Sequence, residues 1–295
     1  MTDKAPLLPV EEKACAKLNI SLDVTAKRDD GYHDMLMIMQ TVSICDTLRI
    51  EPARGSEVFA LTGLPYVPGD QRNLAVRAAL RFLALVGDEG RGLKITMRKS
   101  IPVGAGMAGG SADAAAVLRA LNRAYGDPLT AEELCEAGKT VGSDVAFCLR
   151  GGTALASGRG EIITPLPALP PCSFVVVKPD FSISTPELFR KLDSVRLSCH
   201  PDTEGLLSAI RGGDLDGLCR RMYNVFEDVP DRRMRAIRSA KGALLDCGAL
   251  GALMTGTGSA VFGVSRDAAS AEKACAALKG EYRFCRTAVA VGPLL

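Results

Sequence analysis

Residues 102 to 113 read Pro102-Val103-Gly104-Ala105-Gly106-Met107-Ala108-Gly109-Gly110-Ser111-Ala112-Asp113, and the segments on either side decide the fold. Upstream, Leu93, Ile95 and Met97 alternate with Lys94, Thr96 and Arg98, the period of two that marks a strand with one polar face. Downstream, Ala114, Val117, Leu118 and Leu121 recur at i, i+3, i+4 and i+7, so a helix with one apolar face follows. Glycine-rich backbone between a strand and a helix can bring unpaired N–H groups and the helix dipole against an anion. The same spacing also suits a connecting loop capped by Ser111.

Two well-known nucleotide loops fit only in part. Gly104, Gly106 and Gly109 satisfy G-x-G-x-x-G, which keeps an NAD-dependent oxidoreductase as an alternative. A dinucleotide-binding first strand is continuously apolar, however, whereas Leu93 to Arg98 alternates. Pro128 and a helix beginning at Thr130 also occupy the place of its acidic strand end. A Walker A loop needs lysine and Ser/Thr after its last glycine, and here Gly110 is followed by Ser111-Ala112.

Working outward, Ala14, Ala16, Leu18, Ile20, Leu22 and Val24 alternate with Cys15, Lys17, Asn19, Ser21 and Asp23, predicting a half-buried strand. A turn at Asp29-Asp30-Gly31, strands over Thr41 to Ile50 and a helix over Asn73 to Leu85 follow. Gly126 and Pro128 stop the helix after the glycine segment. Thr130 and Glu133 form a capping box for a helix ending near Gly138. Gly142 to Leu149 reads as a short helix, and Thr153 to Thr164 as a hairpin turning at Gly158-Arg159-Gly160. Four prolines between Pro165 and Pro171 mark a linker, dividing the chain into domains 1–165 and 166–295. The second half reads as a strand at 174–178, helices within 186–247, strands near 249–255 and 260–264, a helix with Ala271, Ala274, Cys275 and Leu278 on one face, and a last strand. Without regular strand–helix alternation, the expectation is an α+β architecture with antiparallel sheets.

Composition narrows the function. Thirty-six basic and 34 acidic residues leave a formal charge of +2, so no one-sided basic field marks a nucleic-acid binder. Ten cysteines without a C-x-x-C pair, and only His33 and His200 beside them, predict reduced thiols of a cytosolic protein and neither a disulfide framework nor a metal site. Met1 to Lys13 carries Asp3, Glu11 and Glu12 and lacks an apolar leader core. No apolar run of about 18 residues occurs, so the expectation is a cytoplasmic chain that does not span a membrane.

At this point residues 102–113 resemble the phosphate-binding motif of the GHMP kinase superfamily, in which a proline and a glycine-rich loop lead into a helix opening with serine. Further blocks agree with its branch in the non-mevalonate (methylerythritol phosphate) isoprenoid pathway. They are Ala16-Lys17-Leu18-Asn19, Gly31-Tyr32-His33, Gln40-Thr41-Val42, Asn73-Leu74, Gly142 to Phe147, Gly158-Arg159-Gly160-Glu161, Thr185-Pro186 to Phe189, Asn224 to Glu227 and Gly256-Thr257-Gly258-Ser259. The resemblance implies a two-domain α+β GHMP kinase fold, with an N-terminal domain like a ribosomal protein and a C-terminal ferredoxin-like α/β plait carrying extra helices. It implies ATP-dependent phosphorylation of the 2-hydroxyl of a cytidine-diphosphate derivative of methylerythritol, with Mg²⁺ accompanying ATP and Ser111 as its protein contact. The phosphates would lie over Pro102, Val103, Gly104, Ala105, Gly106, Met107, Ala108, Gly109, Gly110, Ser111 and Ala112, with Asn73, Leu74 and Lys99 near the adenosine. Lys17 and Asp144 would be the catalytic pair. Tyr32, His33 and Phe189 would take the cytosine, with Asn19, Asp23, Thr185, Gly256, Gly258 and Ser259 as further acceptor contacts.

Read without the resemblance, Asp144 is a helix-start aspartate favoured by the dipole and Lys17 a solvated strand residue. The chain departs from the family pattern at Ala105, Ala108 and Ala112, where glycines and a second serine are usual, and at Ser143 and Ala146. The rivals are another GHMP kinase acting on mevalonate or homoserine, and a non-enzymatic RNA-binding module.

Overall fold

Two long strands, β1 (Val10–Lys27) and β2 (His33–Pro52), pair antiparallel along nearly their whole length in the computed structural model, which describes residues 8–295. The first seven residues of Met1 to Lys13 lie outside those described. Next come β3 (Val58–Thr62), α1 (Leu74–Leu85), β4 (Leu93–Arg98), α2 (Gly109–Ala124), α3 (Ala131–Val141), α4 (Val145–Arg150), β5 (Thr153–Ser157) and β6 (Ile162–Pro165). The remainder is β7 (Ser173–Lys178), α5 (Thr185–Leu192), α6 (Thr203–Gly212), α7 (Leu215–Arg221), β8 (Tyr223–Asn224), α8 (Met234–Asp246), β9 (Gly251–Met254), β10 (Val261–Ser265), α9 (Ala268–Leu278) and β11 (Phe284–Val289).

One sheet runs β3-β4-β2-β1-β8, with β5 on β2 and β6 on β5; the other runs β11-β7-β10-β9. The second is wholly antiparallel. In the first, β3 beside β4 and β8 beside β1 are parallel exceptions. The architecture is α+β. No helix of the described residues is long and apolar enough to cross a membrane.

Several sequence expectations need correction. The period of two in β1 holds, but the strand is buried on both faces: Lys17, Asn19, Ser21 and Asp23 are at most 5% exposed. The second half of the chain covers them, since β8 pairs with Ser21 and Leu22 and Thr255 Oγ1 accepts the Asn19 N–H at 3.1 Å. Helix α2 starts at Gly109, not Ser111; its N-cap is Ala108, with φ 57°, and no side chain caps it. The capping box of Thr130 and Glu133 forms, but α3 runs on to Val141 because Gly138 packs directly under Val145 and Leu149. Helix α4 begins only at Val145, leaving Gly142 to Asp144 as its entry turn.

The cysteine expectation fails for one pair. Cys15 and Cys45 face each other in register across β1 and β2, with Cα atoms 4.1 Å apart, and form a disulfide. Spacing along the chain carries no sign of a cross-strand pair 30 residues apart. The other eight cysteines are free thiols.

Two interactions set the glycine segment in place. At its flanks, Asp46 on β2 accepts the Ser100 N–H and, at 2.8 Å, the Ile101 N–H, while its other oxygen and Asp113 on α2 share the Lys99 ammonium. All three side chains are at least nine-tenths buried. Burial, with the like charge of Asp46, outweighs the attraction of Lys99 and pushes Asp113 up to about 7. At its centre, Gly106 has φ 75°, and a Cβ there would stand 2.1 Å from the Thr255 carbonyl oxygen. The turn after β9 therefore meets the loop before α2 backbone to backbone.

Both contacts are testable by unfolding. Gly106→Ala should lower stability by roughly 2 kcal/mol or more, from steric conflict and a disfavoured φ; an unchanged urea midpoint would contradict the close approach. Between an unfolded value of 3.8 and about 7 in the fold, Asp113 binds more protons folded than unfolded, so its contribution to stability declines as pH rises. Wild type should therefore lose roughly 1–3 kcal/mol relative to Asp113→Asn between pH 5 and 8 in urea titrations. A constant difference would refute the shift.

Candidate active site

A cavity of about 900 Å³ opens between the glycine segment, the β1–β2 turn, α5 and the Gly256 turn. Its glycine-rich end is built by residues 102 to 111. Because no side chain caps α2, the amides opening that helix and the positive end of its dipole are left for a ligand. Asn73 caps α1, its Oδ1 accepting the Ala75 N–H at 3.0 Å and its Nδ2 donating to the Pro68 carbonyl at 2.8 Å. Asn73 and Leu74 thereby form the adjoining wall. Lys99 also reaches the cavity, but its ammonium is taken by Asp46 and Asp113.

Lys17 and Asp144 meet in the middle. Lys17 Nζ donates to the Gly106 carbonyl at 2.8 Å and to Asn19 Oδ1. Burial holds its pKa below the ordinary lysine value, and the negative charge of Asp144 only partly restores it. No ion pair joins the two residues; they interact through space. Asp144 occupies the N-cap position of α4 without making a side-chain cap bond, so its carboxylate is not consumed by the helix and faces the cavity.

The other end is aromatic. The His33 and Phe189 ring centroids are 4.8 Å apart at 32°, and Phe189 packs edge-on against Phe226 at 4.9 Å. Asp193, just past α5, accepts from His33 Nε2 at 2.6 Å and from Lys27 Nζ at 2.6 Å. Bonds from Lys27 and then His33 hold its carboxyl below the usual range. An ionised carboxylate only accepts, so Nε2 donates and His33 presents Nδ1 as its remaining ring polar atom. Thr185, one turn before Phe189 on α5, and Thr257 join their hydroxyls at 2.8 Å.

Four of the expected residues do not line the cavity. Asn19 lies beneath it, holding Lys17. Asp23 pairs with His200 Nδ1 at 2.8 Å. Ala112 is 1% exposed within α2, and the Ser259 hydroxyl is spent on the Phe181 carbonyl. Conversely, Asp193, Arg159 and Thr257 line it without having been singled out. Asp193 lies 160 positions from its partner His33, a pairing that no local pattern encodes. Arg159 and Thr257 stood in the quoted blocks and turns without a role assigned to them.

Comparison with known proteins places this geometry. Models of the GHMP kinases N terminal domain and the GHMP kinases C terminal domain match residues 73–152 and 206–283. A 4-diphosphocytidyl-2-C-methyl-D-erythritol kinase of Clostridium perfringens is 43% identical over 92% of this chain and 94% of its own length. One from Geobacillus is 41% identical over 95% of each. A crystal structure of 4-(cytidine 5'-diphospho)-2C-methyl-D-erythritol kinase superposes with a TM-score of 0.77 at 34% identity, covering 95% of this chain and 99% of that one. A homoserine kinase from Cytophaga hutchinsonii, 20% identical with a TM-score of 0.76 over 97% of this chain and 95% of its own, shares the fold. With a glycine-rich loop, a buried lysine and a free aspartate in the cleft, the chain belongs to the 4-diphosphocytidyl-2-C-methyl-D-erythritol kinase family of GHMP kinases.

Proposed function

We propose that the cavity transfers the γ-phosphoryl group of ATP to the 2-hydroxyl of 4-diphosphocytidyl-2-C-methyl-D-erythritol, in the methylerythritol phosphate route to isoprenoid precursors. The observation that carries the residue assignment is the placement of Lys17 and Asp144 where the glycine segment gives way to the aromatic end. In this reading the triphosphate lies on the amides of Gly104 to Ser111, Asn73 and Leu74 face the adenosine, and the cytosine meets Tyr32, His33 and Phe189. Asp144 accepts the proton of the attacking hydroxyl late in the transfer. Lys17, fixed by Asn19 and the Gly106 carbonyl, offsets charge on the moving phosphoryl group.

Mg²⁺ is expected with ATP. Its preference for phosphate and water oxygens needs few protein ligands, and the Ser111 hydroxyl is a suitable oxygen on the cavity wall. When bound it neutralises the β- and γ-phosphate oxygens. The reading carries with it the division into domains 1–165 and 166–295 and a cytoplasmic site of action, where ATP is available.

The direct test follows ³¹P resonances while protein, ATP, Mg²⁺ and the cytidine substrate are incubated. A new phosphomonoester is expected, and turnover of mevalonate or homoserine instead would overturn the assignment. Asp144→Asn should lower kcat by roughly 10²–10⁴ with little change in the KM for ATP; retention of most of kcat would remove Asp144 from the role of base. A lysine with a depressed pKa is charged at low pH and loses its proton as pH rises through that value. Wild-type kcat should accordingly fall on the alkaline side below the ordinary lysine range. Lys17→Arg, slower but permanently charged, should shift that limb upward, and an identical limb in both proteins would show that Lys17 is not its source.

A further inference from the structure

Arg159 lines the cavity, with its guanidinium at the Tyr32 ring and its sequence neighbour Gly160 beside Asp144. It is the middle residue of the β5–β6 turn, with Gly158 and Gly160 on either side at φ 66° and 105°. The turn is wedged in place. The Gly158 carbonyl accepts the Met35 N–H at 2.6 Å, next to the Tyr32-His33 turn. On the other side, a Cβ on Gly160 would stand 3.8 Å from Asp144 Oδ1. The guanidinium carbon lies 4.1 Å from the centre of the Tyr32 ring, and no carboxylate of the described residues forms an ion pair with it. Glu161, two residues away, accepts the Arg159 backbone N–H at 2.6 Å.

A guanidinium stacked on an aromatic ring uses its face and keeps its in-plane N–H edge free. That edge is a planar fork suited to paired phosphate oxygens. The acceptor has three parts in order: a base, a diphosphate and a branched polyol. If the base meets Tyr32 and His33 and the polyol hydroxyl meets Asp144, the diphosphate must span the interval that Arg159 occupies. Resting on that reading of the two ends, we propose that Arg159 binds the diphosphate of the acceptor, its face held by Tyr32 and its edge donating to the phosphate oxygens. The residue thereby discriminates a nucleoside diphosphate conjugate from a nucleoside.

Calorimetric titration with cytidine 5'-diphosphate and with cytidine, each with the nucleotide site saturated by a non-hydrolysable ATP analogue, separates the roles. Wild type should bind the diphosphate more tightly than the nucleoside. Arg159→Ala should weaken diphosphate binding about 10–100-fold while changing cytidine binding less than about threefold. Arg159→Lys should recover part of the loss, and in turnover the alanine variant should raise the acceptor KM with kcat and the ATP KM nearly constant. Equal losses for both probes would show that Arg159 only shapes Tyr32, and a raised ATP KM would assign it to the other substrate; either result overturns the proposal. Wild type binding neither probe would sink the reading of the base end and the proposal with it. Wild type binding both, with Arg159→Ala unchanged, would sink Arg159 alone.

Discussion

The carbonyl of Gly106 is the point through which the two halves of the molecule are joined. Lys17 Nζ donates to it from β1 at 2.8 Å, and Thr255 Oγ1 reaches it from the second half at 3.3 Å. Thr255 also bonds Asn19 on both backbone and side chain. Around this node Ala260 donates its N–H to the Ala105 carbonyl at 3.1 Å. Asn224 then ties the 254 and 256 carbonyls to a strand lying parallel to β1. One buried lysine thus holds the glycine loop in shape and lines the cavity. A cation in that position is tolerable only because its hydrogen-bonding partners and the charge of Asp144 offset part of its desolvation.

This arrangement explains which parts of the structure were legible in the sequence. Elements whose cues are local came through: the alternation of Leu93 to Arg98 became β4, the Thr130–Glu133 box starts α3, and Gly158-Arg159-Gly160 turns the hairpin. What failed were statements about burial and pairing across distance. The polar residues of β1 look solvated because alternation reports that two faces differ, not what covers the second one. Here the cover arrives from residues more than 200 positions later. The disulfide of Cys15 and Cys45 and the hydrogen bond of His33 to Asp193 belong to the same class, as products of register and of helix placement.

The cavity was legible by a different route. Glycine spacing alone left a phosphate loop and a capped connection both open. The conserved-looking blocks mattered only through the resemblance that joined them, and folding brings most of their residues to one cleft. Electrostatics then separates residues that the sequence could not rank. Lys17 and Lys99 are both buried cations on the cavity wall, yet Lys99 is shared by two carboxylates and held protonated, whereas burial dominates at Lys17. A lysine neutralised in that way secures the loop's flanks. The one with incomplete compensation is Lys17, the lysine assigned to the transfer in the proposed function.

The alanines in the phosphate loop show how a departure from a family pattern has to be judged by its place in the fold. Ala112, standing where a second serine is usual, is 1% exposed in the buried part of α2, so a hydroxyl there would have faced the core and not the phosphates. Ala105 is 2% exposed and serves through its backbone carbonyl, a role indifferent to its methyl group. Ala108 differs from both: it alone of the three adopts a left-handed conformation, with φ 57°, where a Cβ costs roughly 1 kcal/mol relative to glycine. That strain persists because the Ala112 N–H closes the first turn of α2 on the Ala108 carbonyl at 2.8 Å and the Lys17 N–H holds the neighbouring Met107 carbonyl at 3.2 Å. The strained residue is therefore clamped from both sides at the mouth of the helix, and its methyl group limits the backbone freedom that glycine would leave in the loop that opens α2.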